Sequence, residues 1–187
     1  MNKTIETILN RRSIRSYKRD QILDEELDLI LEAGKFAPSA MNWQSWHFTV
    51  IQNPELLDKL NNYLKAFLLK SGNKDMADRV KSKEFNIFYN APTLIVVSGT
   101  KDAIAPQIDC AVAIQNMFLA AESMGIGSCW IHAVGMALTA TVEGKVMAKE
   151  LKIPEGYTIY GSAVFGYKTE PNPKALPRKP NTVTIIK

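Results

Sequence analysis

One segment limits what this chain can become more than any other. From Ile108 to Met124 the apolar residues Ala111, Val112, Ile114, Met117, Phe118, Leu119 and Ala121 cover nearly every face of a helix. A helix that is apolar all round belongs in a large core, in a subunit interface or in a membrane. Asp109, Gln115, Asn116 and Glu122 break the run, which removes the membrane option. A chain of 187 residues is the length of one domain and has little interior in which to enclose such a helix completely. The simplest reading is a single domain over residues 1–187 that covers this helix with a second copy of itself.

The remaining elements read as a mixture of helices and strands. Thr4 stands as N-cap before the stripe Ile5, Ile8 and Leu9, and Asp24 before Leu27, Ile30, Leu31 and Ala37. Pro38 ends that second helix, because the residue before a proline avoids helical geometry. Trp46–Ile51 has the β-branched, alternating character of a strand. Asn53-Pro54 is an N-cap with proline in the first turn, opening a helix that turns Leu57, Leu60, Leu64, Phe67 and Leu68 inward. Residues 70–84 are polar and read as a mobile loop or an exposed helix. Thr93–Val97 is continuously apolar, as a central strand is. Ser128–Ile131 and Tyr157–Gly166 read as further strands, with a helix around Val142–Leu151 between them. Pro171, Pro173, Pro177 and Pro180 make residues 168–187 an extended arm. Its strand-like tip, Thr182–Lys187, needs a sheet edge to join, and a partner subunit supplies one.

Composition excludes several classes. With 23 Lys+Arg against 19 Asp+Glu the formal charge is +4, a modest value whose two short basic clusters suit a compact anion better than a long polyanion such as a nucleic acid. Hydrophobic residues at 46% and charged ones at 22% exclude a disordered chain. Cys110 and Cys129 cannot form a disulfide framework, and with His47 and His132 as the whole histidine complement a histidine-rich metal site is excluded. The first residues lack the apolar run of a secretory signal, so the expected compartment is the cytoplasm.

Three stretches carry potential chemistry. Arg11-Arg12-Ser13-Ile14-Arg15 gathers three guanidinium groups and a hydroxyl at a helix end, a phosphate cradle or a solvated basic surface. Pro38-Ser39-Ala40-Met41-Asn42-Trp43-Gln44 offers small residues and amides to a planar heterocycle, or is an ordinary polar turn. Gly125-Ile126-Gly127-Ser128-Cys129-Trp130 permits close backbone approach to a ligand, or is a helix C-cap.

Taken in this order, with Asn90-Ala91-Pro92 before a strand, Asp109, and Gly166-Tyr167 leading to Pro177-Arg178, the motifs span nearly the whole chain. The sequence resembles the FMN-dependent nitroreductase family. That resemblance implies an α+β nitroreductase-like fold, with a central, mostly antiparallel sheet flanked by helices. It also implies a domain-swapped homodimer joined through the C-terminal arm, with FMN at the interface. By matching positions, Arg11, Arg12, Ser13 and Arg15 hold the FMN phosphate and ribityl region, and Arg15 also reaches toward the ring. Pro38, Ser39, Ala40, Asn42 and Gln44 contact FMN, the first three from the partner subunit. Ile131, His132 and Ala133 pass the ring, and Arg178 with Lys179 returns to the phosphate.

The resemblance further implies flavin-centred chemistry, in which no side chain serves as general acid or base and Arg15 stabilises negative charge on the ring. NAD(P)H is the implied transient electron donor, and nitroaromatics, quinones or related conjugated acceptors take the electrons by a ping-pong route. A flavoenzyme of the same fold with a different reaction (dehalogenation, ene reduction or dehydrogenation) is the alternative. A flavin- or nucleic-acid-binding module without catalysis is the third. His132 departs from the glycine or acidic residue common in relatives; it tunes the ring or is a structural histidine. Trp43 stacks on substrate or simply packs. Phe67, Phe85, Phe88 and Tyr89 line an apolar pocket beneath a variable helical segment, or belong to the core.

Overall fold

The continuous apolar run becomes the second strand of a sheet covered on both faces. A computed structural model of the chain describes residues 1–72, 74–82 and 84–187. Its strands are β1 (Trp46–Ile51), β2 (Thr93–Thr100), β3 (Ile126–Trp130) and β4 (Tyr157–Tyr167), in the order β1-β2-β4-β3 and antiparallel throughout. The helices are α1 (Lys3–Asn10), α2 (Asp24–Lys35), α3 (Pro54–Leu69), α4 (Lys74–Lys81), α5 (Pro106–Ser123), α6 (Ala133–Ala140) and α7 (Val142–Glu150).

Alternation along β2 and β4 divides the core in two. Ile95, Val97, Ala163 and Phe165 point to α2 and α5, where they meet Ile30, Ile114 and Met117. Leu94, Val96 and Val164 point the other way, toward Leu60 and Leu64 of α3, Leu138 of α6 and Met147 of α7. Two covered faces explain why these strands carry no polar alternation. Burying one such side chain is worth about 1.5–3 kcal/mol, whereas an exposed pair such as Lys35–Glu32 contributes about 0–1 kcal/mol. The two cores, not the surface charges, hold the fold.

Several local expectations are corrected. Asn2, not Thr4, caps α1, its side chain accepting from the Ile5 N–H at 3.0 Å. Asp24 is the first residue of α2 rather than its cap; the Glu26 carboxylate instead accepts the Leu23 N–H at 3.0 Å. Of the two readings for residues 70–84, a loop or an exposed helix, the helix is the one found: α4, with Val80 buried. Helix α6 has no counterpart in the sequence reading, which ran from a strand at Ser128–Ile131 straight to a helix near Val142.

Helix α5 buries Cys110, Ala113, Ile114, Met117, Phe118 and Ala121, while Ile108 remains 66% exposed and Ala111, Val112 and Leu119 are half-buried. One chain therefore covers only one side of it. The arm leaves β4 through a bridge between Tyr17 and Lys168. A half-buried network follows, in which Lys168 Nζ donates to Glu122 at 2.9 Å and Asn172 Nδ2 donates to Glu122 at 2.6 Å and to the Asn10 carbonyl at 2.8 Å. Beyond Asn172 the arm is exposed, and Thr182–Lys187 forms no strand within its own chain.

Candidate functional site

Helix α1 stops at Asn10, with the Arg11 N–H closing the last turn onto the Thr7 carbonyl at 2.9 Å. The chain then runs alongside β3: Ser13 bridges Ser128, and the Ile14 N–H donates to the Ser128 carbonyl at 2.9 Å. Ile14 and Tyr17 point inward and are buried, so Arg15 between them is displayed on the other side, while Arg11 and Arg12 are half-buried. Gly127 makes this approach possible, because a Cβ there would lie 3.0 Å from Ile14 Cγ2.

The three guanidinium groups take different supports. Arg11 lies over the Phe118 ring at 5.6 Å and Arg15 over the Tyr89 ring at 5.8 Å. Hydrogen bonding to Tyr89 raises the Arg15 pKa further above its already high value, outweighing partial burial. Arg12 donates through Nη1 to the Leu9 and Arg11 carbonyls, both at 2.7 Å, while its buried Nε has no protein partner. Such a buried donor is satisfied by a bound acceptor. Cys129 is buried beneath this cluster. Burial raises its thiol pKa, with Arg15, Ser13 and Arg11 pulling against that rise.

The Pro38–Gln44 loop is built under strain. Met41, Asn42 and Gln44 all have positive φ (51°, 56° and 46°), although none is glycine. Asp109, buried in the first turn of α5, holds the loop across 69 residues of sequence by accepting the Ala40 N–H at 3.1 Å. Its other oxygen accepts from the Ser45 hydroxyl at 3.0 Å. The Ser39 hydroxyl in turn accepts the Gln44 N–H at 2.9 Å. Asp109 entered the sequence reading only as a polar break and a family position. A carboxylate in an otherwise apolar helix was the signal for its role.

A cavity of about 370 Å³ opens between the α3–α4 region and the end of β3. Leu68, Met76, Phe85 and Ile87 form one side; Trp130, Ile131, His132, Ala133 and Met136 form the other, with Ser71, Arg79 and Tyr89 completing the wall. Gly161 lets the Trp130 indole lie against β4, since a Cβ there would come within 2.7 Å of Trp130 Cζ2. Within one chain the structure brings together Ile131, His132 and Ala133, with Arg15 behind Tyr89. It does not bring Pro38, Ser39, Ala40, Asn42 or Gln44 to this wall. Arg178 and Lys179 lie on the exposed arm, with no hydrogen bond to the arginine segment among the described residues. Trp43 is 50% exposed and away from the cavity. Phe88, expected to touch substrate, is instead closed in the core at 2% exposure, and Phe67 packs against that core without lining the cavity. Residues 87–90 form a turn, which buries Ile87 and Phe88 together in the core below Tyr89. Arg79, Met76 and Met136 were not anticipated on the wall.

An arginine segment beside a cavity on the end of a covered antiparallel sheet defines a class of ligand-binding α+β proteins. The chain belongs to the Nitroreductase family, which it matches over residues 8–167. A crystal structure of a nitroreductase with bound FMN from Bacteroides fragilis NCTC 9343 superposes with a TM-score of 0.92 at 40% identity, over 100% of each chain. A protein of Archaeoglobus fulgidus, provisionally named NADH dehydrogenase/NAD(P)H nitroreductase, is 33% identical over 172 residues, 89% of this chain and 86% of the relative. The FMN reductase (NADPH) of Bacillus subtilis (strain 168) is 31% identical over 147 residues, 76% of this chain and 59% of that protein. No helix among the described residues is long and apolar enough to cross a membrane, and no metal-binding cluster occurs among them.

Proposed function

We propose that this protein is a homodimeric FMN-dependent oxidoreductase that uses NAD(P)H to reduce nitroaromatics, quinones or related conjugated acceptors. The observation that carries the reading is the arginine segment pinned to β3, with Arg15 stacked on Tyr89 of the cavity wall and the buried Arg12 Nε left for an acceptor. The donor set suits a phosphate: several guanidinium groups, a serine hydroxyl and no neighbouring carboxylate in residues 11–15. Arg11, Arg12, Ser13 and Arg15 would hold the phosphate and ribityl chain, joined by Arg178 and Lys179 once the arm is docked. Pro38, Ser39, Ala40, Asn42 and Gln44 would complete the site, the first three from the partner subunit. When bound, FMN supplies reversible two-electron redox chemistry that amino-acid side chains lack.

The chain's own residues then have positional and electrostatic tasks. Ile131, His132 and Ala133 line the cavity wall, with Ala133 the small side chain among them. Arg15, held by Tyr89, keeps a fixed positive charge near the place where negative charge develops on reduction. One cavity takes donor and acceptor in turn, which gives ping-pong kinetics. Two buried, unpaired cysteines accord with the cytoplasm as compartment.

The visible spectrum of the purified protein tests this directly. The expected result is a flavin spectrum, native or after FMN addition, that bleaches within seconds when NADH or NADPH is added without oxygen. A flavin that stays oxidised would move the reaction to another donor. Protein that takes up no FMN would overturn the site itself.

A further inference from the structure

The cavity wall carries one feature that phosphate or ring binding does not use. Its flanks are apolar through Leu68, Phe85, Ile87, Trp130 and Met136, no acidic residue lines it, and its charged side chain is Arg79 of α4. The Arg79 guanidinium lies 5.5 Å over the Phe85 ring. Stacking of this kind occupies the face of the guanidinium and leaves its edge N–H groups for an acceptor.

The support beneath it is fixed. Lys65 Nζ donates to the Phe85 carbonyl at 3.0 Å and to the Ser82 carbonyl at 2.9 Å, and the Ile87 N–H donates to Asn61 at 2.9 Å. The ion pairs among the described residues join Lys35–Glu32, Lys59–Glu150, Lys81–Asp78 and Lys168–Glu122, and Arg79 is in none of them. Asp75, one turn before Arg79 on the same helix face, forms no ion pair with it among the described residues, and Asp78 is engaged by Lys81 at 2.7 Å.

A planar fork of donors beside an apolar slot fits a flat molecule that ends in a carboxylate: the ring meets the apolar wall and the carboxylate meets the fork. The geometry points to a planar, conjugated carboxylic acid as the preferred acceptor, with Arg79 as the residue that selects it. This rests on the cavity being the substrate pocket of the proposed oxidoreductase.

The test uses 4-nitrobenzoate and 4-nitrobenzamide, which match in shape and differ in charge. Binding is measured by calorimetry on the FMN-reconstituted protein, and kcat/KM is measured with each acceptor. The acid is expected to bind about tenfold more tightly at low salt, the size of one charge-assisted, partly exposed contact. The margin narrows as salt is raised. Arg79→Gln brings acid and amide level, and Arg79→Lys restores part of the difference. Equal binding of the two in the unaltered protein, or an undiminished margin in Arg79→Gln, would overturn the proposal. So would an effect of Arg79→Gln confined to NADPH over NADH, which would assign the guanidinium to the donor's phosphate. The two readings separate cleanly. Protein without flavin that still prefers the acid through Arg79 removes the oxidoreductase reading and with it the acceptor role, and leaves the selection of a carboxylate by Arg79. Protein that binds flavin and ignores the charge removes this one alone.

Discussion

Asp109 connects the apolar helix to the strained loop, and replacing it would release both. Its two oxygens serve the Ala40 N–H and the Ser45 hydroxyl. Asp109→Ala leaves those donors without a partner in a buried place, a loss of about 3 kcal/mol for two bonds to a charged acceptor. Asp109→Asn keeps one acceptor oxygen and should retain about half of that. Urea unfolding of the two variants measures the difference, and FMN affinity should fall in the same order. Equal stability of all three proteins would show that the loop holds itself. A neighbouring residue gives a pH prediction. Burial, aided by the Asp109 charge, pushes the Cys110 thiol from its ordinary 9.0 up to about 12. Burial also raises Cys129 and Tyr17. Each group ionises in the unfolded chain before it can ionise in the folded one. The stability they contribute is therefore complete below about pH 9 and is lost as pH rises toward 12, at up to about 1.4 kcal/mol per pH unit for each group. Urea midpoints should hold from neutrality to about pH 8.5 and fall steadily above it. A flat profile to pH 11 would contradict the burial of these groups.

Helix α4 depends on one buried side chain, Val80 at 2% exposure, so its attachment to the fold can be changed without touching the sheet. Val80→Asp puts a charge into that contact and should undock α4. Trypsin should then cut at Lys74, Arg79 or Lys81 well before the rest of the chain, while the far-UV spectrum keeps its sheet contribution. Unaltered protection of these bonds would mean that α4 is held by something other than Val80. This helix also shows how unevenly the elements could be read from sequence. Helix α3 announces itself through Asn53-Pro54 and four inward leucines, and the Asn53 side chain does accept the Leu56 N–H at 2.8 Å. Strands β2 and β4 are legible because both their faces are apolar. Helix α6 was not, for a physical reason: His132 makes no side-chain cap, and Ala133, Val134, Ala137 and Leu138 follow β3 without a polar break. Helix α1 was displaced because Asn2 and Thr4 are both competent caps two residues apart. The arginine segment could be read as a motif, since its residues are adjacent in the chain. The cavity could be read only in part: Phe85 and Tyr89, expected at an apolar pocket, do line it, but nothing local joins residues 68–89 to 130–136, Arg15 to Tyr89 or Asp109 to Ala40.

At the scale of the molecule, the exposed apolar surface argues for a second copy. Ile5, Ile8 and Leu9 on α1, Leu29 on α2, Phe36 beyond its end and Ile108 on α5 are all exposed, as are Leu176, Val183, Ile185 and Ile186 on the arm. Apolar surface that gathers into one patch marks an interaction site, and the arm carries apolar residues of its own to such a patch. Its root is fixed by the Lys168–Glu122–Asn172 network, so the direction of departure is set within one chain even though its destination is not. Removing residues 175–187 takes away the apolar tip together with Arg178 and Lys179, while leaving that network and both cores in place. The shortened protein should fold with nearly the thermal midpoint of a monomeric domain. In sedimentation equilibrium it should dissociate at concentrations where the full chain remains a dimer. Under the proposed site its affinity for FMN should also fall, since Arg178 and Lys179 would be lost from the phosphate end and the partner's loop would be held less firmly. Glu122→Ala, which loosens the root but keeps the tip, should weaken association less. If the shortened chain stays dimeric and binds FMN as tightly as the whole, the arm is not what joins the subunits, and the exposed face of α5 must do so alone.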